Sequence, residues 1–129
     1  MYKERLADIE DIELNAEPEG VFNSVWITAL IFGNSHRMTK LDAIDKLREI
    51  GIPARPFFYP LSSLPAYPGY EERYKPRNPR SYDISNRGIN LPGALNLTED
   101  QIDAVCDGIR KILGKSRPTR ADALATQAT

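Results

Sequence analysis

The sequence contains only one cysteine and one histidine, and these shortages remove whole classes of site. A single cysteine cannot form an internal disulfide, and neither a cysteine cluster nor a histidine pair is available to hold zinc. The formal net charge is −1 in 129 residues, whereas a broad nucleic-acid surface needs a basic excess. No apolar run approaches the length of a membrane helix, and the first residues lack the apolar region of a secretion signal. We therefore predict one soluble, cytoplasmic domain without metal, nucleic-acid or membrane partners.

Two amphipathic helices are the clearest elements that the sequence does contain. Thr39 begins the first helix, and Asp42 lies at the position that completes a capping box. In the second helix, Thr98 is the N-cap residue and Gln101 completes the capping box. A glycine follows each helix and supplies its stop. The apolar stripes that we expect to face the core are Leu41, Ile44, Leu47 and Ile50 in the first helix, and Ile102, Val105, Cys106, Ile109, Ile112 and Leu113 in the second.

The strand signals are weaker. Residues 21–32 are rich in β-branched and aromatic side chains on both alternating faces, which predicts a buried strand beginning near Ser24. Residues 89–91 read as a short strand that Pro92 stops. The element order predicts an α/β (α+β) fold, in which a mixed or antiparallel sheet of three to four strands has helices on one face. The polar connections are predicted as an acidic loop at 11–20, a basic loop at 71–80 and a helical turn at 82–87.

The most informative stretch is residues 51–67, which we name the Pro-aromatic segment. It holds four prolines, four aromatic residues and one arginine. So many aromatic residues are atypical of a disordered linker, and so many prolines exclude a regular helix. Arg55 lies between two prolines, so its guanidinium would be held in place to bind a phosphate or carboxylate. An arginine that only stacks on the neighbouring rings explains the pattern equally well.

Other groups favour ordinary structural roles. His36 reads as a solvated loop residue, and Cys106 as a buried core thiol rather than a nucleophile. The clustered acids Asp8, Glu10, Asp11 and Glu13 read as a charged loop. A basic group interleaved with tyrosines could contact single-stranded nucleic acid, although a solvated loop is the better interpretation. Its members are Arg73, Lys75, Arg77, Arg80 and Arg87, with Tyr70, Tyr74 and Tyr82.

Five blocks of sequence together resemble a known family. They are Ser24-Val-Trp-Ile27, Leu47-Arg-Glu-Ile-Gly-Ile52, Arg55-Pro-Phe-Phe-Tyr-Pro-Leu-Ser-Ser-Leu-Pro-Ala-Tyr67, Ile84-Ser-Asn-Arg-Gly-Ile-Asn-Leu-Pro92 and Leu97-Thr-Glu-Asp-Gln-Ile102. In this order and spacing they resemble the C-terminal domain of DegT/StrS-type sugar aminotransferases, with perosamine synthases as the nearest likeness. The resemblance covers about residues 2–113 and is far more specific than any single motif.

The resemblance implies a fold and a chemistry. Such enzymes have the fold of type I pyridoxal 5′-phosphate (PLP) enzymes, whose small C-terminal domain this chain would match. They aminate a GDP-, dTDP- or UDP-linked 4-keto-6-deoxy sugar, usually with glutamate as the amino donor. They act as homodimers, and their products enter surface polysaccharides such as O-antigen. In the family, the segment that matches Arg55 to Leu61 lies near the mouth of the active site. Arg55, Phe57, Phe58 and Tyr59 are thus expected to contact the sugar or its nucleotide.

The chain departs from the family pattern by lacking the large domain that carries the Schiff-base lysine. None of its lysines lies in the family's lysine motif, so we expect no catalytic residue, no bound PLP and no transaminase activity from this chain alone. Met1 falls within the helix that should link the two domains, which indicates a fragment. The expected division is an interdomain remnant at 1–20, the small domain at 21–114 and a disordered tail at 115–129. The alternative function is a non-enzymatic module that binds a sugar nucleotide or a protein.

Overall fold

A four-stranded antiparallel sheet lies at the centre of the computed structural model, which describes residues 1–117. In chain order its strands are β1 (Ile12–Leu14), β2 (Ala29–Phe32), β3 (Arg55–Pro56) and β4 (Gly88–Asn90). They lie side by side in the order β1-β2-β4-β3, and each neighbouring pair is antiparallel. The predicted α/β architecture with a small antiparallel sheet is confirmed. The predicted tail from residue 118 onward lies outside the described residues.

Five α-helices accompany the sheet in the described part of the chain: α1 (Tyr2–Arg5), α2 (Lys40–Glu49), α3 (Tyr70–Tyr74), α4 (Pro79–Arg87) and α5 (Glu99–Ile112). Both predicted capping boxes are present, at the starts of α2 and α5. In α5, for example, the Thr98 backbone N–H donates to Gln101 Oε1 at 2.9 Å. The caps satisfy backbone N–H groups that have no partner within the helix, which fixes where each helix begins.

The core lies on one face of the sheet. The register places Leu30 opposite Ile89, and Leu30, Ile89 and Phe32 are all fully buried. Because successive strand residues point to opposite faces, these positions define the core face. The predicted stripe of α5 is buried or half-buried against it, whereas Leu41 of the predicted α2 stripe is 59% exposed. The α2 residues that are fully buried or nearly so are Lys40, Ala43 and Leu47.

Residues 2–9 complete this core by packing against α5. Tyr2, Leu6 and Ile9 are buried in the same cluster as the α5 stripe. The Tyr2 hydroxyl donates to the carbonyl of Pro92 at 2.9 Å. Arg110 of α5, only 4% exposed, donates from both terminal nitrogens to the Asp8 carboxylate and from one of them to the Arg5 carbonyl. This ion pair holds the pKa of Asp8 below its usual value.

Three predictions about the connections are wrong. The strand expected from about Ser24 begins only at Ala29, because Val25 has a positive φ of 46° that no regular strand accommodates. The acidic stretch predicted as a loop contains β1, which pairs with β2. The proline-broken stretch at 71–80 holds most of α3 and the start of α4, with Pro79 in the first turn, where its missing N–H costs nothing.

Candidate functional site

The candidate site lies on the sheet face opposite the core, which we call the outer face. Arg55 of β3 is paired with Asn90 of β4, and Pro56 with Ile89. Since Ile89 points into the core, Asn90 and Arg55 point to the outer face. The pairing continues beyond β3, because the Phe57 backbone N–H donates to the Gly88 carbonyl at 3.0 Å. The sheet therefore aligns the start of the Pro-aromatic segment.

Asn90 carries an unsatisfied hydrogen-bond acceptor. Its side chain is 4% exposed, and its Nδ2 donates to the Pro56 carbonyl at 3.2 Å. Its Oδ1 is buried and has no partner among residues 1–117. A buried polar atom left in this state costs about 1–3 kcal/mol. The residue lines a cavity of about 430 Å³ on the outer face, so a ligand there could supply the missing donor.

Arg55 lines the same cavity from the neighbouring strand. Its side chain is exposed, and it forms no ion pair with any residue that the structure describes. A guanidinium without a carboxylate partner keeps all of its N–H groups available for a phosphate or a carboxylate. The cavity thus combines one cation with one buried oxygen acceptor.

An exposed aromatic cluster borders this cavity. Trp26 is 83% exposed and stacks on Phe58 with ring centroids 6.0 Å apart, while Phe58 itself is 54% exposed. Phe57 meets Phe58 edge to face at 5.7 Å. Trp26 also lines the cavity beside Arg55 and Asn90. Apolar ring faces left open to solvent beside polar groups are typical of a binding surface.

Gly88 makes room for Phe57 on the outer face. A Cβ atom at position 88 would lie 2.7 Å from Ile31 Cδ1, 2.8 Å from Phe57 Cβ and 2.9 Å from the Ile84 carbonyl oxygen. These distances are shorter than van der Waals contact, and two of the three atoms cannot move aside without the backbone. The absence of a side chain at Gly88 therefore allows the Pro-aromatic segment to lie this close to the sheet.

Tyr59 does not join the other three predicted site residues. Its ring lies under the ammonium of Lys40, with Nζ 3.4 Å from the ring centroid. Tyr59 and Lys40 line a second cavity, of about 900 Å³, which Arg55, Phe57 and Phe58 do not line. The structure therefore brings Arg55, Phe57 and Phe58 together around Trp26 and places Tyr59 at a different site.

Trp26 and Asn90 are functional candidates that the sequence interpretation missed. The composition of residues 21–32 predicts that Trp26 lies in a buried strand, although a single tryptophan in a run of mixed polarity is equally consistent with an exposed aromatic residue. Asn90 was one polar residue inside a short apolar strand. A polar residue at such a position points to either a hydrogen-bond partner or a ligand. Only the sheet register shows that it lies opposite Arg55.

The groups predicted to be structural have contacts that agree with this role. Cys106 is 2% exposed, and burial raises the pKa of its thiol to about 11, which keeps it protonated and unreactive at neutral pH. His36 is half-buried in a 3-10 turn, and its Nε2 lies 3.0 Å from the Glu10 carbonyl oxygen, so it is a packed turn residue rather than the predicted solvated one. Tyr74 stacks on Tyr70 at 5.5 Å, and two arginines of the basic group, Arg73 and Arg77, lie against its ring. Tyrosine rings already in contact with one another and with arginines leave less surface for stacking with bases.

Residues 1–117 contain neither a cluster of metal-binding side chains nor a membrane-spanning helix. No three side chains of His, Cys, Asp or Glu type are grouped as metal ligands would be. None of the helices in this range has the length and apolar character needed to cross a membrane.

Comparison with known proteins gives a consistent set of similarities. The family model for DegT/DnrJ/EryC1/StrS aminotransferases matches residues 1–110. The chain is 34% identical over 110 residues to GDP-perosamine synthase of Vibrio cholerae, which covers 85% of this chain and 29% of that protein. It is 28% identical over 113 residues to GDP-perosamine synthase of Escherichia coli O157:H7, covering 86% of this chain and 28% of the relative. It thus spans under a third of the length of these curated relatives.

The fold has solved counterparts. The putative sugar aminotransferase Spr1654 from Streptococcus pneumoniae, solved in its PMP form, superimposes with a TM-score of 0.71 at 20% identity. The match covers 88% of this chain and 28% of that structure. The aminotransferase TlmJ from Streptoalloteichus hindustanus gives a TM-score of 0.64 at 18% identity, over 88% of this chain and 29% of the other. At these identities the likeness concerns the fold.

Proposed function

We propose that this chain, which belongs to the DegT/DnrJ/EryC1/StrS aminotransferase family, forms the substrate-facing wall of a PLP-dependent nucleotide-sugar aminotransferase. The reaction is the amination of a 4-keto-6-deoxy sugar linked to a nucleoside diphosphate, as in perosamine synthesis. The similarity to two GDP-perosamine synthases favours a GDP-linked sugar. The parent enzyme would be a cytoplasmic homodimer that serves polysaccharide assembly, with glutamate as its amino donor.

The observation that carries this proposal is the composition of the outer-face cavity. It joins the unpaired guanidinium of Arg55, the unsatisfied Oδ1 of Asn90 and the open ring of Trp26. A nucleotide sugar offers a matching set of groups, since it has an anionic diphosphate, many hydroxyl donors and apolar ring faces. Arg55 would bind the diphosphate or the carboxylate of the amino donor. Asn90 Oδ1 would accept from a hydroxyl, and Trp26 with Phe58 would contact a sugar or base face. Phe57 supports Phe58 edge to face.

The residues of this chain do not fit PLP itself. The cofactor needs a reachable lysine, an acid for its pyridine nitrogen and a set of phosphate-binding groups. Of the six lysines in the sequence, five are exposed, and Lys40 is engaged by the Tyr59 ring and the Ser85 hydroxyl. The two carboxylates that line the cavity beside Lys40 are paired with other residues, Glu71 with Lys75 and Asp83 with Arg87. The groups that hold the cofactor would therefore come from another part of the parent enzyme.

The isolated chain is accordingly expected to lack transaminase activity and to take up no stoichiometric PLP. After incubation with PLP and reduction with borohydride, mass spectrometry of peptides should show label spread thinly over the exposed lysines. An adduct of one PLP per chain at a single lysine would contradict this expectation. As a matched control, Lys46→Met should not change the total label by more than its own share, because Lys46 is one exposed lysine among several.

Binding of the nucleotide sugar can be tested directly by NMR. GDP-mannose added to the ¹⁵N-labelled chain should shift the Trp26 indole N–H, the Asn90 side-chain amide and backbone amides at 55–58. Arg55→Met should weaken binding about tenfold, since a hydrogen bond to a charged group contributes about 1.5–3 kcal/mol. The matched control is Arg80→Met, which removes an exposed arginine outside the cavity and should leave the affinity unchanged. Equal loss in both variants would show that the attraction is only general charge.

The same titration addresses the alternative, a binding module without catalytic role. It is favoured by one observation, which is that the cation, the free acceptor and the aromatic rings are all assembled within this chain. Micromolar affinity of the isolated chain for the nucleotide sugar would support a free-standing module. Millimolar affinity is expected if the chain supplies only one wall of the site.

A further inference from the structure

The cavity around Lys40 contains a buried cation that lacks an anionic partner. Lys40 is 6% exposed, yet its ammonium forms no salt bridge with any carboxylate of residues 1–117. Nζ donates to Ser85 Oγ at 3.1 Å and lies 3.4 Å from the Tyr59 ring centroid. One of its three N–H groups is thus used by a neutral hydroxyl, and the ring face supplies the other attraction.

Leaving this charge uncompensated is unfavourable for the protein alone. Buried lysines are nearly always paired, because removing an ammonium from water costs several kcal/mol that only a counter-charge repays. Burial also lowers the pKa of Lys40, as expected where no carboxylate stabilises the charged form. A methionine would fill the same space without this cost, so a ligand for the charge explains the lysine better than packing does.

The surrounding groups favour an anion. Thr39, Lys40 and Leu41 line the cavity at the first turn of α2, where the backbone N–H groups of residues 40 and 41 have no partner among the described residues. The Ser85 hydroxyl lines it as well, and because its oxygen accepts from Lys40 its own hydrogen is free to donate.

The two carboxylates at the cavity are already occupied. Asp83 accepts from both Arg87 Nε at 2.9 Å and Arg87 Nη2 at 2.7 Å, and Glu71 Oε1 lies 3.5 Å from Lys75 Nζ. Neither is paired with Lys40, so its charge remains available to a ligand.

We propose that the Lys40 cavity binds the phosphate group of a small molecule. A helix N-terminus together with a lysine ammonium is a phosphate-binding arrangement, whereas a carboxylate is better matched by the planar fork of an arginine. The volume of about 900 Å³ leaves room for an organic group attached to the phosphate. Arg55, Asn90 and Trp26 do not line this cavity, so the proposal stands independently of the nucleotide-sugar wall.

The test follows the lysine directly in the ¹³C,¹⁵N-labelled chain. Sodium phosphate, GDP and sodium acetate are added separately at a constant ionic strength held with NaCl. Phosphate and GDP are expected to shift the Lys40 Cε–Hε signal and the backbone amides of Lys40 and Leu41 in a saturable manner. Lys40→Met should weaken the binding of phosphate and of GDP at least tenfold, as followed by the backbone amides. The matched control is Lys46→Met, which replaces an exposed lysine of the same helix and should leave both affinities unchanged.

Each outcome decides the proposal. Saturable phosphate and GDP shifts that Lys40→Met removes would support it, and tighter binding of GDP than of phosphate would identify an ester as the ligand. Shifts no larger than those of NaCl, or acetate binding as tight as phosphate, would overturn it. Arg55→Met should leave phosphate binding here intact, which separates this site from the outer face. If Lys40→Met does not fold, Ser85→Ala replaces it, and an unchanged phosphate affinity in that variant would also overturn the proposal.

Discussion

Replacing Asp8 with alanine is expected to lower the free energy of unfolding by about 2–4 kcal/mol, more than replacing its partner Arg110. Arg110 is 4% exposed, so losing Asp8 leaves a buried guanidinium without a counter-charge. Removing one partner of a buried pair typically costs about 3–5 kcal/mol. The expected value is lower here because the Asp8 side chain is 36% exposed and Arg110 keeps its bond to the Arg5 carbonyl.

Arg110→Met should cost only about 1–2 kcal/mol, because it leaves a carboxylate that water can partly solvate. Urea unfolding of the unsubstituted chain and of the two variants measures these changes in the free energy of unfolding. A greater loss of unfolding free energy for Arg110→Met than for Asp8→Ala would contradict the view that Arg110 is the more buried partner of the pair.

The pair also predicts a pH dependence. Arg110 lowers the pKa of Asp8 in the folded chain, so its contribution is fully present above the unfolded value of about 3.9. It is lost as the pH falls through the lower, folded pKa. The stability gap between the parent chain and Arg110→Met should therefore be constant at neutral pH and narrow below about pH 4. Subtracting the unfolding free energies of the two chains cancels the contributions of the other carboxylates. A stability gap that does not change down to pH 2 would contradict the ion pair.

Gly88→Ala is expected to cost about 2–3 kcal/mol and to disturb the candidate site as well. The added methyl would overlap Ile31, Phe57 and the Ile84 carbonyl, and overpacking of a filled space costs about 1–3 kcal/mol. The backbone contact with Ile84 places this change at the upper end of the range. Because Phe57 must move, Phe58 and its stacking on Trp26 should shift with it.

The matched control is Gly93→Ala, in the loop after β4, where a Cβ would meet nothing nearer than the Leu91 carbonyl oxygen at 3.9 Å. Thermal unfolding followed by circular dichroism gives the stability of both variants, and tryptophan fluorescence reports on Trp26, the single tryptophan. Gly88→Ala should lower the melting temperature and change the fluorescence, whereas Gly93→Ala should leave the melting temperature unchanged. Similar melting temperatures for the two variants would contradict the close packing at Gly88.

The parts of the fold that were predicted correctly depend on local chemistry. The starts of α2 and α5 were found because a capping box lies within four residues and needs no tertiary information. By contrast, β1 is acidic and short, and it becomes a strand only by pairing with β2. The start of β2 was placed too early because the backbone turn at Val25 is not visible in its composition.

The candidate site was predictable to a similar, limited extent. Rings and an arginine among prolines indicated that the Pro-aromatic segment faces something, and Arg55, Phe57 and Phe58 do share one surface. The family resemblance also groups Tyr59 with them, but its ring lies against the Lys40 ammonium and lines the other cavity. No sequence pattern singles out Lys40, because its burial comes from the packing of α4 and Tyr59 around it.

The packing of residues 2–9 against α5 has a consequence for how the chain is made. The partners of Tyr2, Leu6 and Asp8 lie within residues 92–110, which a ribosome adds about a hundred residues later. Until then the core face of the sheet lacks α5, and its apolar side chains stay uncovered. Folding of this part of the chain should therefore be a late event of synthesis, since it waits until α5 is free to pack against the sheet.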